Sequence, residues 1–331
     1  MTKQRKENVE MGKITVIIPC YKVASQIEQV LNGIPDCVDE IITVDDCSPD
    51  DTGRVLERLS QQDSRIAVIR NSRNMGVGGA VVAGFQEALR RGCDIVIKLD
   101  GDGQMNTSHI AEMVQAIESE DYDFVKGNRF YDKLALRKMP LLRKIGNFGM
   151  SFLVKVSSGY WQISDPTNGF FAIRKETLQS IDMGWLSPRF FFESSLICEL
   201  YYTGAKIKEI SMPAIYGEEK SNLSILKSLL TFPPKLLCRW LRRLWLSYYV
   251  YDFNIGSLYF AAGSLSFLFG LIFGIIRWVQ FASAGIPAPM GTIMIAVLTF
   301  ICGFQMLLAA FQYDLTAKNP FQDSSSHPRQ R

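Results

Sequence analysis

Residues 255–276 and 290–311 are two runs of about 22 residues each, and neither contains an Asp, Glu, Lys or Arg. At 1.5 Å of rise per residue a helix of that length spans roughly 33 Å, enough to cross a hydrocarbon core of about 30 Å. One such run can be a buried core helix; two in tandem predict a transmembrane hairpin. Arg277, Pro287 and Pro289 lie between them. Lys235, Arg239, Arg242 and Arg243 precede the first run, and Lys318, Arg329 and Arg331 follow the second. By the positive-inside rule both ends of the hairpin are cytoplasmic and the loop external. Residues 1–12 are polar and charged, so no cleavable signal peptide is expected there.

The 331 residues allow one large or two ordinary domains with real cores. A net charge of +3 makes no general case for nucleic acid, although acidic clusters sit in the first half and 133–243 is basic. The seven cysteines form no CxxC pair and there are only two histidines. That argues against a zinc site and for reduced thiols in a cytosolic setting.

From Lys13 to about Leu99, short β-rich runs alternate with helical stretches. Strands are expected at 14–18, stopped by Pro19, and at 40–44, 66–69 and 95–99; helices at 25–32, 51–62 and 78–91. This alternation predicts a parallel sheet covered on both faces. Ligands of such sheets bind beyond the carboxyl ends of the strands. Pro19-Cys20-Tyr21, Asp45-Asp46 and Asp100-Gly101-Asp102-Gly103-Gln104 all fall there. Two carboxylates one residue apart at a strand end can hold a divalent cation against a diphosphate. Mg²⁺ and Mn²⁺ take oxygen ligands and share them with substrate phosphates. Asp-x-Asp alone is also a common turn; the convergence of three motifs on one edge singles it out.

Gly76-Val77-Gly78-Gly79-Ala80 has the look of a dinucleotide fingerprint, but it follows the third strand, and Val81 stands where the third glycine belongs. Close helix–sheet packing near a bound nucleotide explains it better. Two amphipathic stretches follow. Leu141, Ile145, Phe148 and Phe152 recur at helical spacing, which suits a core-facing or a membrane-surface helix equally. After an expected break at Pro233-Pro234, Lys235, Arg239, Arg242 and Arg243 gather on one helical face. Leu237, Trp240, Leu241, Leu244 and Trp245 take the other, the pattern of an interfacial helix.

The order of motifs resembles the family-2 glycosyltransferases of the GT-A fold. Within them it is similar to the polyprenyl-phosphate glycosyltransferases, the dolichyl-phosphate mannose synthase group and its bacterial undecaprenyl-phosphate relatives. The residues that carry the resemblance are Val16-Ile17-Ile18-Pro19-Cys20-Tyr21, Val44-Asp45-Asp46-Cys47-Ser48-Pro49-Asp50-Asp51-Thr52, Asn74-Met75-Gly76-Val77-Gly78 and the Asp100 motif. Val125-Lys126-Gly127-Asn128-Arg129 and Asp165-Pro166-Thr167-Asn168-Gly169-Phe170 complete the set. The resemblance implies an α/β, Rossmann-like mixed sheet over 13–220, an amphipathic interfacial segment over 221–250, two membrane helices within 251–315 and polar tails.

It also implies roles. Pro19 and Tyr21 would line the nucleotide base, Asp46 would accept a base or ribose hydrogen bond, and Val44 would contribute backbone. Asp100, Asp102 and Gln104 would hold Mg²⁺ or Mn²⁺ on the donor diphosphate, with Gly101 between the carboxylates. Arg129 and Lys220 would lie near donor or acceptor phosphates, and Arg143 and Asn147 near the acceptor phosphate. The chain departs from the dolichyl group at Val23, where that group has an acidic residue, and at Ala214, where it has an arginine. One phosphate clamp is therefore missing or supplied from elsewhere.

The implied activity is inverting transfer of one sugar from a UDP- or GDP-linked donor to a polyprenyl phosphate, by a multi-pass inner-membrane enzyme with a cytoplasmic catalytic domain. Its partners are the donor, the lipid phosphate and the bilayer, with a homo-oligomer compatible and no nucleic acid. Two other readings stand beside it. A sugar-hydroxyl acceptor would need a general base, for which Glu193 is the candidate. A non-catalytic nucleotide-sugar binder would have no evident need of Asp100, Asp102 and Gln104 together.

Overall fold

The computed structural model describes residues 12–131, 141–213, 225–317 and 319–324. Four strands are mutually parallel in the order β3-β2-β1-β4: β1 Ile14–Cys20, β2 Glu40–Asp45, β3 Ile66–Arg70 and β4 Ile95–Lys98. Helices α1 Ile27–Asn32, α2 Thr52–Gln62 and α3 Val77–Arg90 make the crossovers. Strands β1, β2 and β4 are apolar on both sides because helices cover both faces. The sheet continues through β6 Phe171–Arg174, antiparallel to β4 and to β5 Phe124–Asn128, and ends at β7 Ile207–Ser211, parallel to β5. Among the described residues the sheet is therefore mixed, with order β3-β2-β1-β4-β6-β5-β7.

Strand β1 does not stop at Pro19 but runs on to Cys20, paired with Asp45. Cys20 O accepts from Asp46 N on the β2 side, while Ile17 O accepts from Leu99 N on the β4 side. Alternation then turns Pro19 toward β4, whose ladder has ended at Lys98. The missing proline N–H costs no ladder bond there.

One face of the sheet packs on α1, α2 and α4 His109–Ser119 through Ile18, Ile41, Ile97, Leu56 and Met113. On the other lie α3, α5 Leu141–Ser158, α6 Lys175–Ser180 and α7 Phe192–Leu200. Gly84 lets α3 sit on β1, since a Cβ there would overlap the Ile17 side chain. Helix α5 buries Met150 and Val154, whereas Phe148 and Phe152, on the stripe noted in the sequence, are 53% and 52% exposed.

Helix α8, Ile225–Trp245, continues through Pro233 and Pro234, where a break was expected. Phe232 and Leu236, on either side of the prolines, are both buried. The Phe232 ring meets Phe191 edge-on at 5.0 Å, and Lys235 Nζ lies 5.4 Å from the same ring. Packing on both sides of the prolines outweighs their propensity and missing donors.

The described chain forms two compact units, divided between Leu237 and Cys238. In the second, a π-helical turn over Leu246–Tyr251 leads to α9 Ile255–Ala284, then α10 Met290–Thr316 and α11 Pro320–Ser324. A capping box starts α9: Asn254 Oδ1 accepts from Gly256 N at 2.8 Å, and Ser257 Oγ accepts from Asn254 N at 3.0 Å. Both α9 and α10 are long and apolar enough to cross a membrane, and only 11% of the apolar window of each is buried. A core helix of a soluble protein would be mostly covered. The two helices approach closely at glycines; a Cβ on Gly270 would lie 2.5 Å from Phe300 N.

Arg243, expected on the basic face of an interfacial helix, is instead 2% exposed. Its guanidinium is bidentate to Asp314 at 2.8 and 2.7 Å, and Tyr248 Oη donates to the same carboxylate at 2.7 Å. A buried carboxylate across the unit captures the arginine that helical periodicity alone turns outward.

Candidate active site

The Asp100–Gln104 turn projects from the end of β4 and rests on β1. Gly101 is buried, and a Cβ there would sit 3.4 Å from Ile18 Cγ2 and 3.5 Å from Pro19 O. Gly103 has φ +73°, which closes the turn so that Gln104 N donates to Asp102 Oδ1 at 3.0 Å. Asp100, Asp102 and Gln104 are all partly exposed on this one turn.

Beneath them lies Lys98, which the sequence reading passed over. It is fully buried, and its ammonium donates to Asp100 Oδ1 at 2.5 Å and to Glu193 Oε1 at 3.5 Å. Burial alone would lower the Lys98 ammonium, but Asp100 and Glu193 together hold it above the usual lysine value. Burial likewise raises Glu193 above the ordinary glutamate range, against the pull of Lys98. Glu193, on the first turn of α7, is thus a partner of Lys98. Gly169 passes directly over the three: a Cβ there would overlap Lys98 Nζ and lie 2.9 Å from Asp100 Oδ2 and 3.4 Å from Glu193 Oε1.

The chain leading to Gly169 is gripped by the end of β5. Arg129 donates from Nε and Nη2 to the fully buried Asp165 carboxylate at 2.7 and 2.9 Å, and from Nη2 to Thr167 Oγ1 at 3.3 Å. Lys126 Nζ donates to Asp165 O. Asn168 Nδ2 donates to Gly127 O at 2.8 Å. Asn128 Nδ2 donates to Glu209 Oε2 at 2.6 Å, and Glu209 Oε1 accepts from Ser164 N and Asp165 N at 2.9 and 3.1 Å. The structure therefore places Arg129 on a carboxylate of its own domain, as a clamp on the 163–169 loop. Burial opposes ionisation of Asp165, but the Arg129 hydrogen bonds and charge outweigh it and hold the carboxyl below its usual range.

Lys126 is pushed down to about 8 by burial, against the pull of Asp165 and Glu209. In the unfolded chain a lysine titrates near 10.4, so the unfolded state binds the extra proton between about pH 8 and 10. Stability linked to this group therefore rises with pH through that window and is flat below it. Relative to Lys126→Met, the wild-type unfolding midpoint is expected to gain on going from pH 7.5 to 10. Parallel pH profiles for the two proteins would refute the assignment.

At the nucleotide end, Pro19 is partly exposed and Tyr21 is exposed, with Lys22 Nζ 5.5 Å from its ring centroid. Val44 is buried in the sheet beside Pro19. Asp46, also buried, accepts from Asn71 Nδ2, Met75 N and Gly76 N at 2.8, 2.8 and 2.7 Å. It shapes the loop after β3. Gly76–Gly79 dock on Ser187–Phe192 rather than on the sheet: Gly79 N donates to Pro188 O at 3.0 Å, and a Cβ on Gly78 would overlap Ser187 O. Asn147 is half-buried on α5. Lys220 and the Arg143 side chain lie outside the described residues.

Lys98, Lys126 and Arg129 are thus interleaved with the carboxylates of Asp100, Glu193, Asp165 and Glu209. Among the described residues no three His, Cys, Asp or Glu form a closed metal cage. Two carboxylates and an amide on one turn, with coordination left open, fit a Mg²⁺ or Mn²⁺ ion that keeps water and phosphate ligands. What sequence reasoning missed, the roles of Lys98 and Lys126, had one signal: each is the one charged residue of its strand.

A mixed sheet of this order, with an Asp-x-Asp turn where its parallel half ends, defines a GT-A glycosyltransferase. The fold is shared with glucosyl-3-phosphoglycerate synthase from Mycobacterium tuberculosis, solved with Mn²⁺, UDP and glucosyl-3-phosphoglycerate. The two are 20% identical with TM-score 0.51, over 70% of this chain and 80% of that one. Residues 15–182 match the model of glycosyl transferase family 2, and the chain belongs to that family. It is 29% identical to a UDP-N-acetylglucosamine–dolichyl-phosphate N-acetylglucosaminyltransferase of Methanococcus voltae, over 62% of this chain and 86% of the relative. It is 27% identical to an undecaprenyl-phosphate mannosyltransferase of Micrococcus luteus, over 62% and 85%.

Proposed function

We propose that the enzyme transfers one sugar, with inversion, from a nucleotide-diphosphate sugar to a polyprenyl phosphate at the cytoplasmic face of a membrane. The observation that carries this reading is the pairing, in one family-2 chain, of the Asp100–Gln104 turn with two exposed apolar helices, α9 and α10. The two relatives described above are both named for polyprenyl-phosphate acceptors. The exposed Phe148 and Phe152 on α5 suit a surface that meets lipid.

Asp100, Asp102 and Gln104 would hold the divalent ion, which when bound supplies Lewis-acid neutralisation of the donor diphosphate. Lys98 fixes Asp100 from below, and the 163–169 loop roofs that cluster through Gly169. A phosphate acceptor is already anionic at neutral pH and needs no strong general base. The hydroxyl-acceptor reading needs one, yet Glu193 is engaged with Lys98.

Membranes carrying the full chain, incubated with labelled UDP- and GDP-sugars, Mn²⁺ or Mg²⁺ and undecaprenyl phosphate, test this. Label is expected in a lipid-phosphate-linked sugar, with transfer stopping on chelation and returning with the metal. Label entering only a preformed glycan would overturn the acceptor, and transfer that survives chelation would overturn the metal.

A further inference from the structure

Residues Ser187–Glu193 run from one motif of the site to the other. At one end Pro188 O accepts from Gly79 N at 3.0 Å, and a Cβ on Gly76 would lie 2.6 Å from Pro188 O and 2.9 Å from Arg189 Cγ. Gly76 N in turn donates to Asp46. At the other end Glu193 meets Lys98, the partner of Asp100. A ligand that touches both the Asp46 loop and the Asp100 turn therefore lies along this segment.

Arg189 is its one cation. The side chain is exposed, its stem lies over Gly76, and among the described residues its guanidinium has no hydrogen bond or ion pair. Several other cations of the site are paired with carboxylates, Arg129 to Asp165, Lys98 to Asp100 and Glu193, Arg70 to Asp45 and Glu57, while Lys22 lies over the Tyr21 ring. Arg73 also lacks a carboxylate partner but stands on the loop after β3, at the Asp46 end alone. The divalent ion would offset the charge of the Asp100 turn only; an unpaired guanidinium beside the Asp46 loop adds a second cation, and arginine's planar fork suits phosphate oxygens.

We infer that Arg189 is a phosphate ligand of the site. This rests on the transferase reading above. The phosphate is either the donor diphosphate or the acceptor's monophosphate, and the two arms of one experiment tell them apart.

Wild-type, Arg189→Ala and Arg189→Lys full-length proteins in detergent would be titrated with UDP, GDP, uridine and guanosine in the presence of Mn²⁺. The KM for undecaprenyl phosphate would be measured in parallel. Arg189→Ala is expected to weaken the cognate nucleoside diphosphate, or to raise the acceptor KM, by about tenfold or more. Nucleoside binding should be unchanged, and Arg189→Lys should recover part of the loss. Loss confined to the diphosphate assigns the donor; loss confined to KM assigns the acceptor. If both stay within twofold of wild type in a folded Arg189→Ala protein, the inference is wrong. If nucleosides weaken in parallel with the diphosphates, the residue only shapes the pocket and the inference also fails. A wild-type protein that binds neither diphosphate and transfers no sugar would instead refute the transferase reading beneath it.

Discussion

Asp165→Ala is expected to lower the unfolding midpoint of the full-length protein by roughly 3–12 °C. The Asp165 carboxylate is fully buried and accepts two hydrogen bonds from Arg129. Removing it deletes both hydrogen bonds and leaves the 38%-exposed Arg129 to water, at about 1.5–3 kcal/mol. For a unit of this size each kcal/mol moves the midpoint by about 2–4 °C. The loop it anchors also carries Asn168, bonded to Gly127, and Gly169, which covers Lys98 and Asp100. Activity should therefore fall with stability. Because the folded carboxyl titrates below its usual value, this stabilisation is present at neutral pH. It is lost as pH falls below the unfolded value near 3.9 toward the folded one. Thermal unfolding followed by circular dichroism checks the result. A shift under about 3 °C would mean that the pair is not structural.

The parallel half of the sheet was legible because each strand is a short apolar run and each crossover a helix of ordinary length. Pro19 misled because its cost depends on where the neighbouring strand ends, which is a tertiary fact. Pro233 and Pro234 misled for the same kind of reason: Phe232 and Leu236 hold the helix through them. Periodicity put Arg243 on an outer face, but its partner Asp314 is 71 residues away. The Asp100 turn was visible as a motif, while its support was not. Lys98, Glu193 and Gly169 come from β4, the start of α7 and the approach to β6, and nothing in their spacing joins them. The resemblance gave Arg129 a ligand's role; the structure gives it Asp165 as a partner.

Gly169→Ala is expected to cost about hundredfold in sugar transfer while leaving the protein folded. The reason is space, not backbone freedom, since Gly169 is not among the glycines with positive φ. Its added methyl would overlap Lys98 Nζ and stand 2.9 Å from Asp100 Oδ2. Lys98 has nowhere to retreat: it is buried and already donates to Asp100 and Glu193. The loop cannot lift freely either, because Arg129, Lys126 and Asn168 tie it down. The strain therefore falls on the Asp100 carboxylate, and a misplacement of about 1 Å at a reacting centre costs on the order of 10²-fold. The loss should appear in kcat together with a raised Mn²⁺ requirement, because Asp100 is the group displaced. Gly146→Ala is the matched control, with nothing among the described residues within 4 Å of the added methyl. Full activity in Gly169→Ala, or an equal loss in Gly146→Ala, would show that the loop's closeness to Lys98 and Asp100 has no part in the reaction.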